Sequence, residues 1–354
     1  MDYLIGHLKK WQEGQKPFPK IIQLHLTNKC NLSCDFCPTV ALKKKEGVDY
    51  SEELEKEDWE RIIEQGNELG VREWHICGGG EPLFNTSDAL DLMKNMKSNS
   101  ARGQIITNCT LLDEDSCRRL INMGWDLVTF SLDGPSKKIN DNIRDQGSFK
   151  KAVRNAKLLS NLREGEKPFL RLHTVICNQN YDKMAEMVEL THRIGFDEVK
   201  FNAMNVWSEE GEKLTLSQNQ IERAKREMKR ADDLSNKLNV ESNLKQFIEK
   251  DILENADNID NALKKESKGK GDFSDLNCYY PWYNISIFAD GRASPCFLFH
   301  EGVSLKEKSL KEAWRGEFFK KIRKSFLNNE LRETCKNCNA WNIEKMEELR
   351  QKLK

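Results

Sequence analysis

The chain has 354 residues, and its 57 lysines and arginines balance its 57 aspartates and glutamates. A zero net charge excludes a global field that would attract nucleic acid or an anionic membrane, and no run approaches the ~20 apolar residues of a membrane span. Because the N-terminus lacks a basic stretch followed by an apolar one, no signal peptide is predicted, and we expect a cytoplasmic protein with neither membrane nor nucleic-acid partners.

Residues 20–205 alternate between short apolar runs and amphipathic stretches. Six runs predict strands: Ile21–Thr27, Val71–Cys77, Gln104–Asn108, Asp126–Leu132, Phe169–Cys177 and Glu198–Met204. Five stretches predict helices: Asp58–Leu69, Asp88–Met96, Glu114–Met123, Phe149–Leu162 and Asp182–Ile194. Several of these helices precede a glycine, as helix ends often do. Strands that alternate with helices imply a parallel sheet with right-handed crossovers.

The pattern changes after residue 205. Ser217–Leu238 and Asn243–Lys264 predict charged helices, and Lys265–Asp275 reads as a polar, glycine-bearing linker. Two apolar runs flank Asp290-Gly291 and predict a hairpin: Tyr283–Ala289 and Ala293–Phe299. We therefore divide the chain into three parts: an α/β part at 1–205, a helical connecting segment at 206–269 and a small C-terminal module at 270–354.

Seven of the eleven cysteines fall into two groups, which in a cytoplasmic chain indicates metal binding more than disulfides. The groups are Cys30, Cys34 and Cys37, and Cys278, Cys296, Cys335 and Cys338. The first group follows the first predicted strand. Three thiolates can bind one face of a [4Fe-4S] cubane and leave one iron open for chemistry. The alternatives for this group are a zinc site or three unrelated thiols.

A glycine run, Gly78-Gly79-Gly80-Glu81-Pro82, stands at the end of the second predicted strand. Glycines let a backbone approach a ligand closely, and a glutamate can accept from an ammonium group. Ligands bind at the carboxyl edge of parallel sheets. We therefore expect the glycine run and the first cysteine group to share one site.

Together these motifs resemble the radical S-adenosylmethionine (SAM) superfamily over residues 20–205. The resemblance implies a partial (β/α)6 TIM-like barrel whose first cysteine group holds a [4Fe-4S] cluster. That cluster binds SAM and cleaves it to methionine and a 5′-deoxyadenosyl radical. The resemblance also implies a set of cofactor-binding residues: Phe36, Gly79, Gly80, Glu81, Asn108, Ser131, Asp133 and Arg144. Cys109 is a departure, because many relatives have glycine at that position.

The second cysteine group allows two interpretations. Four thiolates that include a CxxC pair could form a structural zinc ribbon. The order Cys278, Gly291, Cys296 and Cys335-x2-Cys338 resembles instead the twitch module, a shortened relative of the SPASM domain. That resemblance implies a small α+β module with one auxiliary [4Fe-4S] cluster bound by all four cysteines. A cluster without an open iron is suited to carrying an electron.

Strand alternation gives candidates for the rest of the chemistry, because one side of each strand must face the barrel lumen. In the fifth strand Leu170, Leu172, Thr174 and Ile176 suit the helix side. Arg171, His173 and Cys177 would then face the lumen, as would Lys200 of the sixth strand. With Cys109 as a further candidate thiol donor, these are the candidate catalytic residues. In the second strand His75 and Cys77 share one side.

Three functional hypotheses follow. The leading one is a radical SAM oxidoreductase that dehydrogenates a small polar metabolite, such as a sugar or aminocyclitol, with electron transfer to the auxiliary cluster. The alternative is a peptide-modifying maturase or an epimerase with a cysteine hydrogen donor; it ranks lower because about 20 residues precede the first strand, where such maturases often carry a peptide-recognition domain. The third is a non-enzymatic zinc- or cluster-binding scaffold. For either enzyme we expect a ferredoxin or flavodoxin as electron donor.

Overall fold

A mostly parallel sheet organises the computed structural model, which describes residues 2–43, 51–250, 252–255, 273–299, 301–332, 335, 338 and 340–354. Six strands confirm the six predicted runs: β1 (Ile21–Leu24), β2 (Glu73–Ile76), β3 (Arg102–Thr107), β4 (Leu127–Ser131), β5 (Phe169–Ile176) and β6 (Glu198–Ala203). They pair in chain order, each parallel to the next. A short β7 (Glu241–Ser242) extends this edge beyond β6.

Helices precede, connect and follow these strands, and the helix at Lys56–Glu68 packs on one side of the sheet. They are α1 (Asp2–Gln12), α2 (Pro38–Lys43), α3 (Lys56–Glu68), α4 (Thr86–Met96), α5 (Glu114–Asn122), α6 (Lys137–Ile143), α7 (Ser148–Leu162), α8 (Met184–Arg193), α9 (Glu209–Glu212), α10 (Gln218–Leu238), α11 (Leu244–Lys250) and α12 (Ile252–Asn255). Gly70, Gly124 and Gly195 follow α3, α5 and α8 at φ of 73°, 64° and 74°, where glycine avoids the Cβ clash. In the described part of the chain, no helix is long and apolar enough to cross a membrane.

Among these helices, the sequence prediction missed α1, α2, α6 and α9. In α1, Leu4 and Leu8 are buried one turn apart, a spacing that could have revealed the helix. The helix predicted over Asn243–Lys264 corresponds to α11 and α12, and its remainder lies outside the described residues. Most of the predicted linker at Lys265–Asp275 also lies outside them.

The C-terminal part joins the same sheet. Its elements are α13 (Tyr280–Tyr283), β8 (Asn284–Ile287), β9 (Arg292–Ser294), β10 (Val303–Ser304), α14 (Leu310–Arg315), α15 (Glu317–Leu327) and α16 (Ala340–Leu353). The predicted hairpin is confirmed as β8 and β9, with Gly291 at φ 83° in its turn. Strand β8 lies parallel to β1, with Asn284 opposite Ile21. The strand order over the described residues is therefore β10-β9-β8-β1-β2-β3-β4-β5-β6-β7.

The two faces of the sheet differ in burial. Along β5, Leu170, Leu172, Thr174 and Ile176 are buried in turn, and the residues between them keep partial exposure. This alternation confirms the predicted sides of the strand. On the helix side Trp74 packs so tightly on Gly66 of α3 that a Cβ on this glycine would lie 2.4 Å from the indole.

The pairing of β8 with β1 places the two cysteine groups at opposite edges of the sheet. Cys30, Cys34 and Cys37 follow β1 at its carboxyl edge. Cys278 precedes β8, and Cys296 follows β9, which runs antiparallel to β8. Both of these cysteines therefore lie toward the amino edge of β1 and β8.

Candidate active site

The first cysteine group lies on the loop between β1 and α2. The Leu32 N–H donates to Cys30 Sγ at 3.4 Å, and the Cys37 N–H donates to the Cys34 carbonyl at 3.1 Å. Burial raises the pKa of Cys34 to about 12; the Arg144 charge opposes the shift, and the thiols of Cys37 and Cys30 add to it. The three thiols are therefore close enough for the charge of one to influence the pKa of another. A sulfur-only donor set of this kind fits an iron-sulfur cluster.

The glycine loop after β2 is bonded to the segment that leads into Cys30. The Gly80 N–H donates to the Thr27 carbonyl at 2.6 Å, and the Glu81 N–H donates to the Lys29 carbonyl at 2.8 Å. A Cβ on Gly80 would lie 1.9 Å from the Lys29 oxygen. The sequence suggested that these glycines admit a ligand; the structure shows that they admit the backbone of the cysteine loop. These contacts explain why the glycine loop and the first cysteine group lie at one site.

Gly78 and Gly79 complete this contact. Both have positive φ, 79° and 67°, and a Cβ on Gly78 would lie 2.5 Å from the ring of His25. His25 is buried and stacks on Phe288 with 4.8 Å between ring centroids. The Gly79 carbonyl accepts from Thr39 Oγ1 of α2 at 2.6 Å. The loop is thus fixed between β1 on one side and α2 on the other.

Glu81 is buried and bound to the end of β3. Its carboxylate accepts from Thr107 Oγ1 at 2.5 Å, from the Asn108 N–H at 2.7 Å and from the Leu83 N–H at 3.1 Å. Burial raises its pKa, against the effect of these hydrogen bonds. Asn108 Nδ2 in turn lies 3.9 Å from Cys30 Sγ. Glu81 therefore fixes the loops around the first cysteine group, and much of its capacity to accept hydrogen bonds is used by the protein.

Three of the predicted cofactor residues come together beside Cys34. Arg144 Nε lies 2.6 Å from Asp133 Oδ2 in a buried ion pair, and the Arg144 guanidinium lies 5.6 Å from the centre of the Phe36 ring. Asp133 also accepts from the Val175 N–H at 2.7 Å. Ser131 is buried at the end of β4. The predicted residues thus line the carboxyl edge of β4 and β5 next to the cysteine loop.

The structure holds Arg171 in an ion pair and His173 neutral. Arg171 Nε lies 2.5 Å from Glu198 Oε2, toward the amino edge of the sheet and away from the first cysteine group. Burial lowers the pKa of His173 to about 3, and the charges of Arg144 and Lys200 add to this shift. Both side chains face the lumen as predicted, and neither is placed to remove a proton easily.

The two candidate catalytic cysteines, Cys109 and Cys177, are buried. Cys109 lies in the main core at φ 64°, and its thiol donates to the Thr107 carbonyl at 3.2 Å. Glycine adopts this left-handed backbone without the Cβ clash that a cysteine has there. Cys177 packs with Ile143 and Leu214 in a small cluster that also contacts Phe36. Neither thiol is presented to the open lumen.

Sequence reasoning missed a polar group on the lumen face of β2. His75 Nε2 lies 2.8 Å from Glu73 Oε2, and the Tyr3 hydroxyl of α1 donates to Glu73 Oε1 at 2.5 Å. Residues 73 and 75 share one side of a strand, so Glu73 could have been found from the parity that identified His75. Tyr3 is 70 residues away in the chain and gives no local signal.

The second cysteine group surrounds one cavity of about 50 Å³. The cavity has a mostly apolar lining that includes all four thiols: Cys278, Cys296, Cys335 and Cys338, with Tyr280, Pro281, Leu298, Phe299, Phe326 and Met346. The Leu298 N–H donates to Cys296 Sγ at 3.3 Å, and the Tyr280 N–H donates to Cys278 Sγ at 3.5 Å. Backbone N–H groups directed at sulfur in a mostly apolar pocket fit a cluster ligated by all four cysteines.

Comparison with protein families assigns both regions. The model of the radical SAM superfamily matches residues 24–191, and that of SPASM, an iron-sulfur cluster-binding domain, matches residues 278–339. The chain contains a radical SAM domain and a SPASM domain. Each matched region contains one cysteine group, and the cofactors are accordingly SAM and [4Fe-4S] clusters. The predicted superfamily and cofactors are confirmed.

Curated relatives match about half of the chain. PqqA peptide cyclase of Granulibacter bethesdensis is 30% identical over 178 residues, which cover 50% of this chain and 45% of that protein. Mycofactocin maturase MftC of Mycolicibacterium smegmatis is 29% identical over 177 residues, covering 50% of this chain and 43% of that protein. The chain thus spans about half the length of the curated relatives it matches.

Solved structures match more of the chain at lower identity. Streptococcus suis SuiB bound to SAM aligns with a TM-score of 0.64 and 18% identity, covering 89% of this chain and 70% of that chain. A likeness at this identity concerns the fold. It confirms the predicted α/β class and partial TIM-like barrel, whose lumen is the face of the sheet that the helices leave uncovered.

Proposed function

We propose that this protein is a radical SAM enzyme that oxidatively modifies a peptide. The observation that carries the proposal is the placement of two thiol sites at opposite edges of one barrel. When bound at Cys30, Cys34 and Cys37, a [4Fe-4S] cluster supplies the electron that splits SAM into methionine and a 5′-deoxyadenosyl radical. The four cysteines at the amino edge close their own site, which suits an electron acceptor. A substrate in the lumen lies between the two.

The relatives favour a peptide over the small polar metabolite that the sequence suggested. The curated relatives are named as a peptide cyclase and a maturase, and SuiB has been solved with its precursor peptide SuiA. The dehydrogenation of a sugar or aminocyclitol is therefore the less supported hypothesis. The lumen also suits a polypeptide, because Ile106 is 40% exposed although it lies in a central strand.

Exposed apolar side chains continue from the lumen to the carboxyl-edge loops. Phe84 follows the glycine loop, and Val206 follows β6, and both are exposed. Apolar groups at the open edge of a barrel can contact the side chains of a bound chain. We therefore place peptide entry at the carboxyl edge, the side that also carries the first cysteine group.

Epimerisation is a second candidate, favoured by one residue. Cys77 directly follows β2 and continues its lumen side, whereas Cys109 and Cys177 are buried elsewhere. A thiol in the lumen could return a hydrogen atom to a peptide radical. Oxidation ranks first because the closed four-cysteine site gives the electron a destination.

The test uses anaerobically reconstituted protein, SAM, dithionite and synthetic peptides encoded by short reading frames beside the gene. Mass spectrometry is expected to show 5′-deoxyadenosine together with a peptide that has lost two hydrogen atoms. Epimerisation would instead leave the mass unchanged in H2O and add one deuterium in D2O. The proposal would be contradicted if the protein cleaves SAM and oxidises a sugar or aminocyclitol but leaves every peptide unmodified. Ferredoxin and flavodoxin can then replace dithionite to identify the donor.

A further inference from the structure

A carboxylate–imidazole pair on β2 lies in the lumen between the two thiol sites. His75 Nε2 is 2.8 Å from Glu73 Oε2, and the two side chains are 21% and 16% exposed. The Tyr3 hydroxyl binds the second carboxylate oxygen, Oε1, at 2.5 Å. The pair is therefore oriented from one side by α1 and still reached by solvent from the lumen.

The hydrogen bond fixes which nitrogen of His75 is free. An ionised carboxylate can only accept, so the proton of the neutral ring is on Nε2. Nδ1 then carries the lone pair, and it has no hydrogen-bond partner in the part of the chain that the structure describes. The ring is thus held in the tautomer that a proton acceptor requires.

The surroundings keep Glu73 ionised. Burial alone would raise its pKa, but hydrogen bonds from His75 and Tyr3 outweigh this effect and hold the pKa at about 2. Burial, and then the bond to Glu73, raises the pKa of Tyr3, which therefore remains a donor. Lys345 of α16, which lies 5.1 Å from the Tyr283 ring centre, adds a positive charge nearby.

The strand places this pair along the path between the two sites. His75 is in register with Gln23 of β1 and Gln104 of β3. It lies two residues, roughly 7 Å, toward the amino edge from Cys77, which borders the glycine loop. The Lys345 charge near Glu73 also acts on Cys278 of the second thiol site. A substrate carbon between the edges can therefore lie next to His75.

Other titratable lumen groups are already engaged. Glu198 is bound to Arg171, Asp133 to Arg144, and Glu81 to the end of β3. The imidazole of His173 faces Lys200 and Arg144 and has no carboxylate partner in the described part of the chain comparable to Glu73. Compared with these described lumen groups, His75 combines a carboxylate-bound Nε2 with an Nδ1 that is left to accept a proton.

We infer that His75 is the proton acceptor of the oxidation, with Glu73 and Tyr3 as positioning residues; this inference rests on the proposed function. After hydrogen-atom abstraction, the peptide radical loses one proton to His75 Nδ1 and one electron to a one-electron acceptor, for which the auxiliary [4Fe-4S] cluster is the resident group. The radical has one unpaired electron, and the departing proton leaves two more. After one of these three is given to the acceptor, the remaining two form a new bond in the peptide. The peptide thereby loses two hydrogen atoms, and the hydrogen bond from His75 Nε2–H to Glu73 is kept throughout.

The test compares His75→Gln, His75→Ala, Glu73→Gln and Tyr3→Phe with a surface control, His192→Gln of α8. The cluster-loaded variants receive SAM, dithionite and the peptide that the wild-type enzyme converts. In His75→Gln we expect 5′-deoxyadenosine within about threefold of wild type, and modified peptide reduced by ~10²-fold or more, the usual range for a lost general base. Imidazole should restore product in His75→Ala and not in His75→Gln, and Tyr3→Phe should reduce product by less than Glu73→Gln.

A substrate-free measurement gives a second readout. Long-range ¹H–¹⁵N correlation of histidine-labelled holoenzyme should show His75 as the Nε2–H tautomer, and Glu73→Gln should change that signal. An unchanged ratio of product to 5′-deoxyadenosine in His75→Gln, or an Nδ1–H tautomer, would overturn the inference. If the wild-type enzyme converts no peptide, the proposed function itself is wrong. That result does not depend on the variants, so the two failures can be distinguished. If Cys77→Ala stops product while His75→Gln does not, the epimerase mechanism replaces this one.

Discussion

Substituting Gly80 by alanine tests whether the glycine loop positions the first cysteine group. The new Cβ would lie 1.9 Å from the Lys29 oxygen, about 1.5 Å inside the 3.4 Å of an ordinary contact. The obstacle is backbone, so the two loops must separate by a comparable distance. That displacement breaks the hydrogen bonds from the Gly80 and Glu81 N–H groups, now 2.6 and 2.8 Å. Two lost bonds at about 1 kcal/mol each, with about 1–3 kcal/mol from the overpacking, reduce the free energy of unfolding by about 3–5 kcal/mol.

The functional effect should exceed the loss of stability, because cluster ligands tolerate displacements of only about 0.5 Å. Wild type should contain about eight irons, and Gly80→Ala about four, held at the distant second site. SAM binding, measured by calorimetry, should weaken at least tenfold. Gly165→Ala is the control, because a Cβ there has no neighbour within 4 Å among the described residues. A Gly80→Ala protein that binds SAM and forms 5′-deoxyadenosine like wild type would refute the reasoning.

Three further predictions concern other parts of the molecule. Cys278→Ser should lose about four irons and peptide product while retaining SAM cleavage, as measured by iron analysis and chromatography; four irons with one zinc in wild type would contradict an auxiliary cluster. Asp133→Asn leaves a buried arginine unpaired and should cost about 3–5 kcal/mol in anaerobic urea unfolding, whereas Glu114→Gln at an exposed pair should cost under about 1. Because the pKa of buried His173 is about 3 against 6.5 unfolded, lowering the pH from 6.5 to 5.5 protonates the unfolded state only and should reduce the free energy of unfolding by about 1 kcal/mol. His173→Gln should remove that share of the decline, unlike His192→Gln.

The repeating part of the fold could be predicted because its signals are local. Buried parallel strands give short apolar runs, and amphipathic helices between them give a different period, so the six strands and their order follow from the chain alone. The alternation of side chains along a strand correctly predicted that Leu172 of β5 lies on the helix side and His173 on the lumen side. The first site could be predicted as well, because the cysteine loop and the glycine loop each follow a strand and therefore share an edge.

Features that depend on distant contacts could not be predicted. The pairing of β8 with β1 joins residues more than 260 positions apart, and no periodicity encodes it. The same holds for the Tyr3 hydroxyl on Glu73 and for the Glu198 carboxylate that neutralises Arg171. The proposal of a peptide substrate rests on the relatives, because few lumen side chains in the sequence distinguish a peptide from a small polar molecule.

The long-range contacts also explain how the two ends of the barrel depend on each other. Helix α1 packs in one core with the C-terminal module, where Leu8 joins Trp282 and Leu349. The rings of His7 and Trp11 both bond the Trp282 carbonyl, at 2.8 and 3.0 Å. The same helix carries Tyr3, which orients Glu73 and through it His75. The packing that forms the second thiol site therefore also orients the imidazole, so that the acceptor of the proton and the acceptor of the electron are assembled together.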